Sequence, residues 1–116
     1  MGAEIPAGLA QQRCEACAAG TPPLTGAEAA ALAAELAGRW AVADQHLRCR
    51  IRTVDFAAAM ALATRVAELA EAQGHHPELT VAWGRLGIDL TTHAVRGLSR
   101  NDFVMAAKID ALVDTP

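Results

Sequence analysis

The feature that most constrains the fold is a helical repeat of apolar residues in the middle of the chain, because the segments on both sides follow a different repeat. The apolar positions recur every three or four residues until Gly74 and are Phe56, Ala59, Met60, Ala63, Val66, Ala67 and Ala70. Such spacing places apolar side chains on one face of a helix. Thr53 stands where a residue could cap this helix. The sequence therefore predicts a central helix that covers a core.

The segments on both sides of the central helix predict strands. Before the helix, the apolar positions that alternate with polar or small residues are Trp40, Val42, Leu47, Cys49 and Ile51. After the helix, the alternating positions flank a Gly84-Arg85 turn and are Leu79, Val81, Trp83, Leu86, Ile88, Leu90 and Thr92. A period of two is typical of strands with one buried face. We expect two short strands before the helix and a hairpin after it.

Two further helices are expected at the ends of this region. Thr25 and Glu28 have the spacing of a capping box and open an Ala-rich stretch. Ser99 and Asp102 form a similar N-terminal pattern, which apolar residues follow on one helical face. The chain therefore predicts an α+β fold at residues 24–116. This fold is a two-layer domain in the order α-β-β-α-β-β-α, with a four-stranded antiparallel sheet and three helices packed on one face.

The size and charge of the chain limit its architecture and its partners. A chain of 116 residues can form one modest core, which predicts a single domain. The formal net charge is -3 and the ten basic residues are scattered, whereas nucleic-acid binders usually present a clustered basic face. No segment approaches the roughly 20 uninterrupted apolar residues of a membrane span. We therefore expect a soluble cytoplasmic protein with no direct nucleic-acid partner and no membrane contact.

Residues 1–23 are expected to form an N-terminal extension that is at least partly ordered. The extension contains Cys14 and Cys17 as a Cys-x-x-Cys pair, and the prolines Pro22 and Pro23 stop any helix at its end. A structural zinc ion would need two more ligands, and no second pair has the usual spacing. Together with Cys49 the cysteines are odd in number, which favours reduced thiols over a disulfide framework. Metal binding or redox chemistry by the pair stays an alternative.

Three of the four histidines lie between Glu71 and Asp102, where side chains that titrate near neutral pH could transfer protons. His75 and His76 follow the end of the central helix, where the carbonyl groups favour imidazolium. Pro77 gives His76 an extended backbone, so both rings can approach one pocket. Glu71, one helical turn before His75, could orient that ring. The alternative is that both histidines only cap the helix.

His93 follows the last predicted strand, and strand parity places it with Asp89 and Thr91 on the face opposite the apolar residues. A role in a site is therefore expected for His93. Asp102 could accept hydrogen bonds from the first N–H groups of the last helix, which would make it a cap with or without a role in the site. Trp40 and Trp83 are expected to lie in the core or in a pocket wall. No role is expected for His46.

This stretch has the pattern Glu71-x3-His75-His76-Pro77-x5-Trp83-x9-His93, followed by Gly97-Leu98-Ser99-x2-Asp102. The pattern resembles the signature of the pterin-4a-carbinolamine dehydratases, whose α+β fold agrees with the predicted order of elements. The resemblance implies removal of water from 4a-hydroxytetrahydrobiopterin, or a related pterin, to give a quinonoid dihydropterin during tetrahydropterin recycling. It implies no metal or organic cofactor, and it suggests a homodimer or a homotetramer.

The resemblance also implies roles for individual residues. His75 and His93 correspond to the acid/base histidines that help hydroxide leave C4a and take a proton from N5, and His76 corresponds to a substrate-binding histidine. The other matching positions are expected to bind the substrate or support its pocket: Pro77, Trp83, Glu71 and Asp102. Arg96 and Asn101 depart from the residues usual in the family, which would alter the preference for the substrate's tail.

Two other functions are compatible with parts of the pattern. Relatives of the same fold serve as non-catalytic interaction modules, either as dimerisation cofactors of a transcription factor or as Rubisco assembly factors. The full set of three histidines favours catalysis over this role. A metal hydrolase could use His75, His76, His93 and Asp102 as ligands. Adjacent histidines are poorly spaced for that arrangement.

Overall fold

The computed structural model describes residues 8–114. The helices in this part of the chain are α1 (Gly26–Ala33), α2 (Phe56–Gln73) and α3 (Arg100–Val113). The strands are β1 (Ala41–Ala43), β2 (His46–Arg52), β3 (Glu78–Ala82) and β4 (Arg85–Leu90). Short 3-10 turns occupy Leu9–Gln11 and His93–Val95. Among these residues, no helix combines the length and the apolar content that a membrane crossing requires.

The four strands form one antiparallel sheet in the order β1-β2-β4-β3. One face of the sheet is covered by the helices, and its buried side chains are Leu47, Cys49, Leu86, Ile88 and Leu90. These side chains form one core with Val66 and Ala70 of α2 and with Phe103 and Ile109 of α3. The opposite face, which we call the outer face, carries the alternate residues of each strand. The predicted two-layer α+β fold with three helices on one face is confirmed.

Capping residues set where the helices begin. The capping box predicted for α1 is present, because the Thr25 side chain accepts from Glu28 N and the Glu28 side chain accepts from Thr25 N. The prediction that Thr53 caps α2 is wrong. Asp55 immediately precedes the helix, and its carboxylate accepts from Ala58 N at 2.8 Å. Thr53 instead donates its hydroxyl hydrogen to the carbonyl of Asp55, which tightens the turn before the helix.

The described part of the N-terminal extension packs against the domain. Leu9 is buried, and Lys108 of α3 donates to the carbonyl of Ala10 at 2.7 Å. Farther along, the backbone N–H of Cys14 donates to the side chain of Gln73 at 3.0 Å. These contacts tie the segment to α2 and α3. The division of the chain after residue 23 stays a prediction, and the extension's residues 1–7, like the domain's last residues 115–116, lie outside the described part.

Candidate functional site

The two adjacent histidines leave α2 through a left-handed residue. Gly74 ends the helix with φ 66°, and the backbone N–H of His75 then donates to Ala70 O at 3.3 Å. Glycine adopts this conformation without the steric cost that a Cβ atom would bring. His75, His76 and Pro77 then form the short link to β3. Within the described chain, neither imidazole caps α2, because each ring hydrogen-bonds a carboxylate instead.

The ring of His75 is held by a buried carboxylate from α3. Nε2 of His75 lies 2.7 Å from Oδ1 of Asp102, whose side chain is 0% exposed while that of His75 is 12% exposed. The prediction that Glu71 orients His75 is wrong, because Asp102 has this position. A carboxylate accepts hydrogen bonds, so Nε2 of His75 is the nitrogen that donates. The other ring nitrogen, Nδ1, makes no hydrogen bond to residues 8–114.

The second oxygen of Asp102 is fixed by two donors. Oδ2 accepts from the backbone N–H of Ser99 at 2.9 Å and from the hydroxyl of Thr92 at 2.8 Å. Because the Thr92 hydrogen is used in this way, the Ser99 hydroxyl, 2.8 Å away, donates to Thr92. Asp102 is thus both the predicted cap of α3 and the support of His75. A buried carboxylate with every contact satisfied keeps one orientation.

His76 forms a second histidine–carboxylate pair at the surface. Its Nε2 hydrogen-bonds the carboxylate of Glu71, and both side chains are well exposed. The two adjacent rings thus have partners on different helices, Asp102 of α3 for His75 and Glu71 of α2 for His76. His76 therefore presents an imidazole to solvent beside the less exposed ring of His75.

His93 begins the 3-10 turn that follows β4. The strand ends at Leu90, two residues before the end predicted for it, so strand parity does not decide the orientation of His93. The side chain is exposed and lines a cavity of about 370 Å³, together with the loop at Asp44–His46 and the segments around Thr91 and Arg96. Thr92, the residue before His93, donates to Asp102. One carboxylate therefore contacts His75 directly and fixes the backbone that carries His93.

Two further residues of the predicted site, Pro77 and Trp83, lie at opposite ends of β3. Pro77 is half-buried at the start of β3, next to His76. Trp83 lies in the β3–β4 turn, at the opposite end of a five-residue strand, roughly 20 Å along the chain from Pro77 at about 3.3 Å per residue. Its side chain is 74% exposed, so the expectation that Trp83 packs in the core is wrong for the single chain. A role for Trp83 in the pocket stays a prediction.

Trp40 is half-buried and packs against the core, as expected. Its indole N–H donates to Asp110 of α3 at 2.9 Å.

The structure contains a third histidine–carboxylate pair, in which His46 has a partner that the sequence did not reveal. Nδ1 of His46 lies 2.6 Å from Oδ1 of Asp89, and Nε of Arg48 donates to Oδ2 at 2.8 Å. Partial burial alone would raise the pKa of Asp89, but the hydrogen bonds and charges of Arg48 and His46 hold it below its ordinary value. His46 and His93 line the same cavity.

The cysteines of the extension lie close to the Asp102 segment. The thiol of Cys14 donates to the carbonyl of Asn101, and the amide of Asn101 donates to the sulfur of Cys17 at 3.4 Å. Burial raises the pKa of Cys14 to about 11, and the three cysteines are free thiols. Across residues 8–114, no group of three or more histidine, cysteine or acidic side chains is arranged to hold a metal ion.

Comparisons with known proteins identify the family of this chain. The family model described as "Pterin 4 alpha carbinolamine dehydratase" matches residues 22–112. A protein of Rubrobacter xylanophilus, provisionally named a pterin-4-alpha-carbinolamine dehydratase, is 47% identical over 105 residues, which are 90% of this chain and 97% of the relative. A relative from Alkaliphilus metalliredigens with the same provisional name is 40% identical over 103 residues, 88% of this chain and 93% of its own.

A solved structure shares the fold. The crystal structure of a transcriptional coactivator/pterin dehydratase from Brucella melitensis superposes with a TM-score of 0.72 and 29% identity. It covers 78% of this chain and 97% of its own. The matched family segment contains α1, α2, the four strands, α3 except its last residue, and the three histidines of the candidate site. The chain therefore belongs to the pterin-4-alpha-carbinolamine dehydratase family.

Proposed function

We propose that the chain dehydrates a 4a-hydroxytetrahydropterin, with His75 and His93 as the acid/base pair. The observation that carries this proposal is the buried Asp102, which hydrogen-bonds His75 and fixes Thr92, the residue before His93. A shared buried carboxylate gives both histidines a common rigid support. Rigid positioning of acid and base groups is what a proton-transfer reaction needs most.

The reaction is balanced by two proton transfers. One imidazole, in its protonated form, gives a proton to the hydroxyl on C4a, which leaves as water. The other imidazole takes the proton from N5, and a C4a=N5 double bond forms. The N5 lone pair assists departure of the water, so no covalent intermediate with the protein is required. His76 and Pro77 would bind the pterin beside His75, while Glu71 would hold His76 and Asp102 would hold His75. Trp83 would support the pocket in the assembled protein.

Stopped-flow measurement of the dehydration of 4a-hydroxytetrahydrobiopterin tests this proposal. The wild-type protein is expected to exceed the spontaneous rate, and His75→Ala and His93→Ala are each expected to lower the catalysed rate by about 10²–10⁴. Thr64→Ala is a matched control, because Thr64 lies on the exposed side of α2 and donates only to the backbone carbonyl of Met60. Unfolding midpoints would confirm that each variant is folded. A wild-type rate equal to the spontaneous rate would refute the proposal for this substrate.

The wider setting of the activity is also proposed. We place the reaction in tetrahydropterin recycling in the cytoplasm, and we expect the protein to act as a homodimer or homotetramer. Light scattering after gel filtration would measure the mass, and a monomer at micromolar concentration would contradict the expected assembly. Immunoblotting of cell fractions would test the location.

A protein-interaction role is the second candidate function. Val54 and Trp83 are highly exposed, and a backbone hydrogen bond from Thr53 to Gly84 brings their segments together. Phe56 and Met60 of α2 are exposed as well, and exposed apolar groups of this kind often mark interaction surfaces. A transcription factor or an enzyme subunit captured by the wild type, and lost with Val54→Ser, would support this role. Mass that falls to the monomer in Val54→Ser would assign the patch to self-association instead.

A further inference from the structure

The outer face of the sheet carries a set of arginines that alternate along the strands. Arg48, Arg50 and Arg52 occupy alternate positions of β2, and all three are exposed. Arg85 lies on the same face at the start of β4, directly opposite Arg52. The next row across the sheet is Arg50, Gly87 and Thr80. Three of the four arginines therefore border the part of the face that contains a glycine.

The arginines at the two ends of this face differ in whether a carboxylate neutralises their charge. At one end, the guanidinium of Arg48 pairs with Asp89, and that hydrogen bond raises the pKa of Arg48. Glu78 adds a second carboxylate in the same row. At the other end, the guanidinium groups of Arg50, Arg52 and Arg85 make no hydrogen bond or ion pair with any of residues 8–114. Like charges directly opposite each other on neighbouring strands are unfavourable, so this end of the face lacks its counter-charge.

A cavity of about 600 Å³ opens on the same face. Its polar lining includes Arg50, Arg85 and Thr80 around Gly87, and the paired Arg48 and Asp89 with Glu78 and Arg39. Gly87 has no side chain, so the outer face has a depression at this position between the side chains of the neighbouring residues. A Cβ atom at Gly87 would lie 3.4 Å from Cβ of Thr80, which shows that the depression is narrow. The volume is in the range of small-molecule sites, roughly 300–1,000 Å³.

We propose that this cavity binds a small molecule through a phosphomonoester group placed between Arg50 and Arg85, above Gly87. Guanidinium groups bind phosphate oxygens through paired hydrogen bonds, and the Thr80 hydroxyl adds a donor. A phosphomonoester carries about −1.5 to −2 charges at neutral pH, against −1 for a carboxylate, and so matches two or three unpaired arginines better. At the other end of the face, Glu78 adds a negative charge beside the paired Arg48 and Asp89, which disfavours a continuing phosphate chain. A small ligand therefore fits better than a nucleic acid.

The proposed site does not depend on the dehydratase proposal, because it uses none of the residues assigned to that reaction. Isothermal titration calorimetry with glycerol 3-phosphate is the direct test, at constant ionic strength set by sodium chloride. One site per chain is expected, and glycerol alone should give no binding. Heats that are the same for sodium chloride and glycerol 3-phosphate would overturn the proposal.

Charge variants test the arginines. Arg50→Gln and Arg85→Gln are each expected to weaken binding about tenfold or more, the loss typical of one charge-assisted contact. Arg13→Gln removes the same charge from an exposed arginine of the N-terminal segment and should leave the affinity unchanged. Equal weakening in all three variants would mean that only net charge matters, which would overturn the site.

A variant that changes shape but not charge tests whether binding requires the depression at Gly87 or only the positive charge of the outer face. Gly87→Val retains every arginine and the net charge, but its side chain fills the depression. Valine is favoured in strands, and the nearest contact of its Cβ atom is of ordinary length, so the fold should be kept. At least a tenfold loss of affinity is expected. Unchanged binding would overturn the proposal. A change of molecular mass in Gly87→Val or Arg85→Gln would also overturn it, because it would mark the outer face as a contact between copies of the chain.

Discussion

Two adjacent histidines follow the end of α2, and each forms a pair with a carboxylate. The two pairs differ mainly in burial. His75 pairs with Asp102, a carboxylate with 0% exposure, whereas His76 pairs with Glu71, which is 75% exposed. Asp102 also accepts from Ser99 and Thr92, and it caps α3. Among residues 8–114, the carboxylate of Glu71 hydrogen-bonds only His76. Adjacent residues in sequence can thus differ in how firmly the fold holds them.

A third pair, His46 with Asp89, lies between these extremes, with Asp89 24% exposed. Water competes with a hydrogen bond at an exposed site, and it cannot replace a lost partner at a buried one. The cost of removing the carboxylate should therefore follow the order Asp102, Asp89, Glu71. Variants of the three pairs test whether burial, rather than the chemistry of the pair, sets this order.

Asp102→Ala is expected to have the largest effect on stability. It leaves the N–H of Ser99, the hydroxyl of Thr92 and the Nε2 donor of His75 without their buried acceptor. A loss of about 3 kcal/mol in the free energy of unfolding is expected, measured by urea denaturation. Asp114→Ala is the control, because Asp114 is exposed and pairs with Arg39 near the end of the same helix. Equal losses in the two variants would contradict the importance of burial.

Thr92→Val tests the hydrogen bonds that support the His75–Asp102 pair, and it leaves both residues of the pair unchanged. Valine has nearly the shape of threonine but cannot donate to Asp102 or accept from Ser99. We expect a loss of about 1–2 kcal/mol in urea denaturation. Thr91→Val is the neighbouring control, since the Thr91 hydroxyl donates to Gln45 O at a partly exposed site. A larger loss for Thr91→Val would show that the Asp102 network is not the rigid part of this loop.

The sequence could predict the order of elements but not the partners within the site. Apolar periods of two and of three to four residues mark the strands and helices, because they follow from backbone geometry. The family pattern selected His75, His93 and Asp102. It could not show that Asp102 replaces Glu71 as the partner of His75, because the turn at Gly74 changes the direction of the chain.

Two further contacts had weak signals in the sequence. Thr92 follows the inward-facing positions of β4, where a polar residue needs a buried partner, and this could have marked it. The pair of His46 with Asp89 depends on the register of β2 against β4, which the sequence does not specify. Trp83 was expected in the core or a pocket wall because tryptophan usually is buried, yet a tight turn with φ 81° at Gly84 exposes it.

Asp89→Asn is expected to have an intermediate effect with a characteristic pH dependence. The pKa of Asp89 lies below its ordinary value of 3.8, so its stabilising effect is complete above about pH 4 and is lost as the pH falls through the lowered pKa. At pH 7 the variant should lose about 0.5–1 kcal/mol. The difference from wild type should shrink below pH 4 in urea titrations from pH 7 to pH 3. A difference that is constant over this range would mean that the charge of Asp89 does not contribute.

Glu71→Gln should have the smallest effect, because water and salt already compete for both exposed partners. We expect a change below about 0.5 kcal/mol in the free energy of unfolding, and a smaller one in 0.5 M sodium chloride, where the screening length falls to only a few ångströms. Gln keeps an acceptor for His76. Because we propose that the His76 ring binds the substrate, any effect on dehydration would appear in KM rather than in kcat. Glu68→Gln, one helical turn earlier and exposed, serves as the control for loss of charge. A loss comparable to that of Asp102→Ala would mean that the exposed pair is as firmly held as the buried one, and burial would no longer explain the difference between them.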